Sequence, residues 1–241
     1  MPNRLKRQHI IHHLQEQYGY FFAKRCADVL FSAFLMVVLY PWLMPVLALL
    51  IRLDSKGPVF FRQKRTGYLG RNFTCVKLRT MVVNAEADER QASEDDPRIT
   101  RIGRFLRKTG LDELPQFVSV FRGDMSLIGP RPHMLRDTEH FSSLVKNYNI
   151  RHLVRPGITG IAQIKGYRGE TRSVESIYRR YQWDAYYVRN TGPLLDTKIF
   201  WGTVSLTVRH ILSKGKHKDV QQSPPLSVKP VESEQLLTQR Q

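Results

Sequence analysis

Cysteine and negative charge are both scarce in this sequence. Its 241 residues include 2 cysteines, Cys26 and Cys75, which are too few for a disulfide scaffold and lack zinc-ligand spacing. A reduced, cytosol-facing chain is therefore expected. Acidic residues number 21 against 38 basic ones, so the formal net charge is +17. This excess predicts a polyanionic partner, such as nucleic acid, anionic lipid or a phosphorylated substrate, without choosing among them.

A long stretch near the N-terminus lacks charge altogether. Residues 29–51 read VLFSAFLMVVLYPWLMPVLALLI, and about 20 such residues suffice to cross a bilayer as a helix. The run starts too late and is too long for a cleaved signal peptide, whose apolar region has roughly 7–15 residues. A buried core helix is the weaker alternative, because such helices are usually shorter and striped with polar residues. The sequence predicts a membrane-embedded segment.

Two prolines divide this apolar run. Pro41 and Pro45 each remove a helix hydrogen bond and leave two arms about 16–18 Å long, enough for one leaflet. Basic residues flank both ends, and such flanks prefer the cytoplasm. A re-entrant helix-hairpin over residues 24–56 would keep both ends on that face. The alternative, an ordinary spanning helix with a proline kink, stays open.

Patterns elsewhere predict a membrane-associated α/β fold that is mostly helical. Residues 1–23 suit an interfacial amphipathic helix on the membrane surface. A cytoplasmic domain is expected over residues 57–212. The polar, proline-containing stretch 213–241 is expected to be a disordered tail.

Within the domain of residues 57–212, local signals predict a small β-hairpin and several helices. Residues 58–64 and 72–79 are the expected strands, with Gly67, Gly70 and Asn72 in the turn. Residues 151–163 are typical of a loop. The predicted helices, of which the last two are amphipathic, are 99–108, 111–121, 173–189 and 194–212.

One acidic pair, Asp112-Glu113, lies among basic residues. Acidic residues in a first helical turn ordinarily cap it and complement its dipole. Here cations surround the pair and are expected to keep both carboxylates ionised: Arg98, Arg101, Arg104, Arg107, Lys108, Arg122 and Arg131. Arginine forks match phosphate oxygens, although a solvated face or attraction to anionic lipid headgroups is the alternative. A carboxylate beside a bound phosphate can attack phosphorus, and Mg²⁺ is the usual bridging cation.

Six motifs, in this order, resemble those of the bacterial sugar transferases called monotopic phosphoglycosyl transferases. They are KRCAD (24–28), GPVFFRQ (57–63), KLRTM (77–81), RKTGLDELPQ (107–116), GDMSLIGPRP (123–132) and RPGITGIAQ (155–163). The likeness covers about residues 24–212. GYRGET, WDAYY and LDTK, within residues 166–198, are similar to the undecaprenyl-phosphate glucose/galactose phosphotransferase branch. That branch often has a larger N-terminal membrane region, so the chain resembles its catalytic core.

The resemblance implies an enzyme that transfers hexose-1-phosphate from a UDP-sugar, with glucose or galactose favoured, to polyprenol (undecaprenyl) phosphate. UMP would be released, and the covalent phospho-sugar intermediate would form on Asp112. Glu113 would help Asp112 to bind Mg²⁺. The reaction would be the first membrane step of exopolysaccharide or O-antigen synthesis, at the cytoplasmic face of the bacterial inner membrane. The resemblance also implies a re-entrant hairpin at Pro41 and Pro45, and substrate or phosphate contacts for Lys77, Arg79, Arg107, Arg131, Gln163 and Arg168.

Two positions depart from the family pattern. The residue before the hairpin proline is often Ser, whose hydroxyl can take up a freed backbone group, and Tyr40 stands there in this chain. Smaller members carry Asn-Gly-Arg after the Ala-Gln, whereas Arg168 lies one place later.

Two other functions compete with transfer. A membrane-anchored basic scaffold or nucleic-acid-binding protein rests on the +17 charge, but no binding motif or aromatic platform accompanies it, so nucleic acid is not expected as a partner. The intact Asp-Glu pair argues against a degenerate transferase that only recruits partners. The sugar and the oligomeric state, including a homodimer, stay open.

Overall fold

The structure is a computed structural model that describes residues 2–83, 93, 96–167, 169 and 173–212. The predicted tail 213–241 and Arg168 lie outside the described residues. Helix α1 covers Pro2–Glu16, and helix α2 covers Tyr18–Asp54. The predicted membrane-associated fold, mostly helical with a small hairpin of strands, is confirmed.

Helix α2 is the one helix in the described part of the chain that is long and apolar enough to cross a membrane. Its 37 residues continue through Pro41 and Pro45, so the two expected arms belong to one helix. The indole of Trp42 donates to the carbonyl of Val38 at 2.7 Å, which satisfies an acceptor beside the proline defect. Whether α2 leaves the membrane on the side where it enters stays a prediction.

One face of α2 packs on the domain along most of its length. Near its start, Arg25 donates to the carbonyls of Val120 and Phe121 at 2.6 and 2.8 Å. Toward its end, Leu47 and Ile51 are buried. The opposite face is apolar and exposed at residues such as Leu30, Val37, Val46, Leu49 and Leu53. A helix with an apolar face turned to solvent requires an apolar environment, which supports membrane association.

The predicted hairpin is confirmed as strands β1 (Phe60–Thr66) and β2 (Asn72–Leu78), which pair antiparallel. A 3-10 turn over Tyr68–Gly70 joins them, and Gly70 adopts a positive φ of 77°. Strand β2 begins at Asn72, where the sequence predicted the start of the second strand. Gln63 lies opposite Cys75 and both are buried, so this face of the hairpin is turned inward.

Helix α3 (Arg101–Thr109) and helix α4 (Gln116–Arg122) flank the acidic pair. The side chain of Thr100 caps α3, and Gly110 ends it with φ 74°. A 3-10 turn, Leu111–Glu113, follows. The single helix expected over residues 111–121 is wrong, because Pro115 has no N–H and separates the turn from α4.

The second half of the domain adds a two-stranded parallel sheet and four helices. Strands β3 (Ser126–Ile128) and β4 (Gly157–Thr159) pair in parallel, and β4 lies within residues 151–163, which were expected to be a loop. Helices α7 and α8 match the expected ranges to within a residue. The helices are α5 (Leu135–Leu144), α6 (Ile161–Ile164), α7 (Val174–Arg189) and α8 (Pro193–Leu212), and a 3-10 helix covers Tyr148–Leu153.

Candidate active site

Asp112 and Glu113 lie in the short 3-10 turn between α3 and α4. Both are buried, each with 8% of its surface exposed. Gly110 permits the tight exit from α3 because its left-handed φ suits glycine. Two adjacent carboxylates with so little exposure require compensation by cations or hydrogen bonds.

Glu113 receives most of that compensation. Arg131 holds both of its oxygens, with Nη2 at 2.5 Å from Oε1 and Nη1 at 3.3 Å from Oε2. Nζ of Lys77 lies 2.8 Å from the same Oε1. The arginine fork and the lysine together fix this carboxylate in place.

Asp112 is paired much less. Its Oδ2 lies 3.9 Å from Nζ of Lys77, and the part of the chain that the structure describes provides no hydrogen bond to its carboxylate. Burial raises the pKa of Asp112; Lys77 opposes this rise, Glu113 adds to it, and Arg131 and Arg107 oppose it. From the sequence, the surrounding cations were expected to keep Asp112 ionised. The burial of its carboxylate, which the sequence did not reveal, acts against ionisation. Asp112 is thus the side chain of the pair whose oxygens remain available.

Arg107 reaches the pair from the last turn of α3. Its Nε donates to Oγ1 of Thr80 at 2.9 Å. Burial lowers the pKa of Arg107, and the charge of Asp112 opposes that shift. The approach of α3 to this strand end depends on Gly103, where a Cβ would lie 2.0 Å from the carbonyl oxygen of Thr80.

The other basic residues of the predicted face do not converge on Asp112. Arg101, Arg104 and Lys108 are exposed on α3. Arg98 pairs with Asp96 at 2.8 Å. The residues of the expected cationic face therefore do not act together. Among those on α3, Arg107 is the one whose charge acts on Asp112.

The parallel strands bring Arg131 and Gln163 together. Nη1 of Arg131 and Nε2 of Gln163 lie 3.5 and 3.2 Å from the carbonyl of Ile158, and Oε1 of Gln163 is buried without a hydrogen bond. The sheet closes because Gly157 meets Gly129 backbone to backbone, where a Cβ on Gly157 would lie 2.1 Å from the nitrogen of Gly129. Burial would lower the pKa of Arg131, but Glu113 outweighs it and the net shift is upward.

Arg79 lies elsewhere, although it is only two residues from Lys77. Its guanidinium donates to the carbonyls of Ser55 and Lys56 at 2.6 Å each and approaches that of Ile51 at 3.4 Å. These contacts satisfy carbonyls at the C-terminus of α2. The substrate contact predicted for Arg79 stays a prediction. The hydrogen bonds that Arg79 makes in the structure stabilise the end of α2.

A buried network behind Arg131 was missed by the sequence reading. Nη2 of Arg151 donates to the backbone carbonyl of Arg131 at 2.5 Å, and its Nε donates to Asp184 at 3.1 Å. The hydroxyl of Tyr148 bonds Arg151 at 3.1 Å and Nδ1 of His133 at 2.5 Å. Burial raises the pKa of Asp184 and lowers that of His133. The network fixes the loop from which Arg131 reaches Glu113.

One sequence signal could have revealed this network. Asp184 lies three residues after Tyr181 and seven after Ile177, which places an acid on the apolar face of α7. A buried acid requires a buried cation. Its partner Arg151 is 33 residues away and carries no comparable local signal.

The donor set around Asp112 is suited to a metal that takes part of its shell from a ligand. Among the described residues, no group of three or more His, Cys, Asp or Glu could hold a metal ion. Mg²⁺ usually binds through one or two carboxylates, with waters and substrate phosphates completing the octahedron. The carboxylate of Asp112, which accepts no hydrogen bond from the described residues, fits that requirement, while Glu113 would share its oxygens with Lys77 and Arg131.

Comparison with known proteins finds one matching family and several relatives that are named as sugar-phosphate transferases. The family described as "Bacterial sugar transferase" matches residues 19–210. The chain is 44% identical over 182 residues to the UDP-glucose:undecaprenyl-phosphate glucose-1-phosphate transferase of Klebsiella pneumoniae, covering 75% of this chain and 39% of that protein. It is 43% identical over 182 residues to the transferase of the same name from Caulobacter vibrioides, covering 75% and 68%.

A third relative acts on a different sugar. The UDP-N-acetylgalactosamine-undecaprenyl-phosphate N-acetylgalactosaminephosphotransferase of Aeromonas hydrophila is 41% identical over 186 residues, covering 77% of this chain and 43% of that protein. The chain thus spans about two fifths of the length of the Klebsiella and Aeromonas relatives. The family match over residues 19–210 nevertheless includes α2 from its second residue onward and every site residue above. The chain belongs to the bacterial sugar transferase family.

Proposed function

We propose that the chain transfers a sugar-1-phosphate from a UDP-sugar to polyprenol (undecaprenyl) phosphate and releases UMP. The observation that carries this proposal is the buried carboxylate of Asp112, which receives no hydrogen bond from the residues that the structure describes. It lies beside Glu113, which Lys77 and Arg131 hold in place. The named relatives use UDP-glucose or UDP-N-acetylgalactosamine with the same lipid acceptor. Glucose or galactose is the favoured donor sugar, because GYRGET, WDAYY and LDTK resemble that branch.

Two displacements at phosphorus account for the transfer. An oxygen of Asp112 attacks the β-phosphorus of the UDP-sugar, the bond from that phosphorus to the bridging oxygen breaks, and UMP leaves. A phosphate oxygen of the polyprenol phosphate then attacks the phospho-sugar, and the bond to Asp112 breaks, which restores the carboxylate. Atoms and charge balance without an oxidant or a reductant.

The surrounding residues supply position and charge. Arg131 and Lys77 keep Glu113 beside the nucleophile, and Arg107 adds a further positive charge that acts on Asp112. Such fixed charges stabilise the charge that develops on transferring phosphoryl oxygens. Gln163 lies next to Arg131, and its amide oxygen, which accepts no hydrogen bond from the described residues, is suited to a donor group of the sugar or uracil.

Asp112 and Glu113 are the residues that would hold Mg²⁺. When bound, the ion would neutralise diphosphate oxygens and lower the repulsion between substrate and carboxylate. The exposed apolar face of α2 would lie in the bacterial inner membrane, with the catalytic domain on the cytoplasmic side and the basic residues near anionic headgroups. Product lipid would then begin an exopolysaccharide or O-antigen chain.

Release of UMP by the purified protein tests the proposal. Protein in nanodiscs is incubated with Mg²⁺, undecaprenyl phosphate and, separately, UDP-glucose, UDP-galactose or UDP-N-acetylgalactosamine. Without acceptor, intact-mass analysis should show one hexose phosphate bound to the wild type and none bound to Asp112→Asn. Asp124→Asn, which changes an exposed acid just after α4, is the matched control. Absence of UMP with every donor, or equal release by Asp112→Asn, would reject the proposal.

A further inference from the structure

Tyr40 makes an unusual contact for a residue in the middle of a membrane helix. It occupies the centre of the apolar run and immediately precedes Pro41. Its phenol donates to the backbone carbonyl of Leu114 at 2.6 Å. Leu114 directly follows the acidic pair, so this hydrogen bond joins α2 to the turn that carries Asp112.

The turn that carries Asp112 and Glu113 is held by few hydrogen bonds at its junction with α4. The 3-10 segment Leu111–Glu113 has no side-chain cap, and Pro115 cannot donate a backbone hydrogen bond. The carbonyl of Leu114 also accepts from the backbone nitrogen of Phe117 at 3.1 Å. Tyr40 therefore provides the second hydrogen bond to a carbonyl at the junction of two short elements, where the regular helical pattern is interrupted.

Packing reinforces the same link. The side chain of Leu114 is buried in a cluster with Leu47 and Ile51 from α2. A small hydroxyl residue before Pro41 would reach only its own helix. The longer side chain of Tyr40 extends beyond its own helix and contacts Leu114, next to the Asp112-Glu113 pair.

We infer that Tyr40 is a positioning residue, whose hydroxyl fixes the Asp112-Glu113 turn on the membrane helix. The seating of α2 in the bilayer would then determine the direction in which the Asp112 carboxylate faces the donor phosphate. This inference rests on the proposed function for its kinetic readout, and it adds a residue that does not touch substrate.

Tyr40→Phe tests the inference, because it removes the hydroxyl and keeps the ring. Loss of one neutral hydrogen bond corresponds to about a fivefold effect. We expect kcat to fall about fivefold while KM for the UDP-sugar changes less than twofold. Trp42→Phe is the matched control, since it removes a hydrogen bond from the same helix that does not reach the turn. Unchanged kcat in Tyr40→Phe, or an equal loss in Trp42→Phe, would overturn the inference.

Hydrogen–deuterium exchange gives a readout that does not require turnover. Peptides covering residues 111–117 should exchange about fivefold faster in Tyr40→Phe and at the wild-type rate in Trp42→Phe. If the wild type releases no UMP from any donor, the proposed function fails, and exchange alone decides whether Tyr40 fixes the turn. Equal exchange in wild type and Tyr40→Phe would show that it does not.

Discussion

Two buried acids in this chain, Asp112 and Asp184, differ in how completely they are paired. Asp184 is 2% exposed, and Arg151 contacts it through Nε at 3.1 Å and Nη2 at 2.9 Å. Asp112 is 8% exposed, has a single cation at 3.9 Å and receives no hydrogen bond from the described residues. Burial raises the pKa of both. Burial alone therefore does not distinguish a structural acid from a reactive one, whereas hydrogen-bond saturation does.

Replacement of Asp112 should give the largest functional effect. Asp112→Asn keeps the shape and removes the nucleophile, so we expect UMP release to fall more than about 10³-fold. Stability should not fall, because the change also removes a buried charge that is poorly paired. Thermal unfolding and UMP release, measured on the same preparation, test both parts. A lower unfolding temperature together with residual activity would place Asp112 with the structural acids.

Replacement of Asp184 should give the opposite result. Asp184→Asn leaves Arg151 charged and buried, which should lower the free energy of unfolding by about 3–5 kcal/mol. Glu175→Gln, which breaks an exposed pair with Arg179 on the same helix, is the control and should cost less than about 1 kcal/mol. Denaturant titration in detergent measures both variants. Equal stability of the two would remove the distinction between Asp184 and a surface acid.

The contrast between these acids also shows how far sequence reasoning reached. The motif around Asp112 singled out the acidic pair that we propose as the reactive one, because acids among arginines form a local pattern. The helices α7 and α8 and the hairpin were predicted because periods of 3.6 and 2 are local as well. Strands β3 and β4 have three residues each and pair across 30 intervening positions, so no local period could reveal them. The pairing of Arg151 with Asp184 was hidden for the same reason.

Lys77 and Arg79 illustrate another limit. Alternation along a strand would place both side chains on one face, and both were predicted to contact substrate. Strand β2 ends at Leu78, so Arg79 leaves the strand geometry and turns to the end of α2. The uninterrupted path of α2 through Pro41 and Pro45 was missed because proline rules describe local hydrogen bonds, whereas Trp42 and packing on the domain support the helix.

Arg131→Lys tests whether the fork on Glu113 matters more than its charge. A lysine ammonium cannot hold both oxygens at once, so Glu113 loses its fixed orientation. We expect kcat/KM for the UDP-sugar to fall about 10²-fold, near the value for loss of one preorganised donor. Arg136→Lys, an exposed arginine on α5, should be silent. Activity within twofold of wild type would show that charge alone suffices.

Arg79→Met tests whether Arg79 has a different role from Lys77, the other basic residue at the end of the hairpin. The variant loses its hydrogen bonds to carbonyls of α2, and we expect about 2 kcal/mol lower stability. KM for the UDP-sugar should stay within twofold of wild type when measured below the unfolding temperature. A tenfold higher KM with unchanged stability would instead support the substrate contact that the motif implies.

The pH dependence of the first half-reaction tests the incomplete pairing of Asp112 directly. In the proposed reaction Asp112 attacks as a carboxylate. Because its pKa is raised, the rate should fall as pH falls through that raised pKa, by about tenfold per unit at the acid end. Lys77 is the largest force against the rise. Lys77→Met should therefore move the acid limb of single-turnover UMP release to higher pH, whereas Lys64→Met, exposed on the other face of β1, should leave it in place. If the acid limb of Lys77→Met stays where it is in the wild type, or moves to lower pH, Lys77 acts only on Glu113. Another group would then favour the ionised form of Asp112.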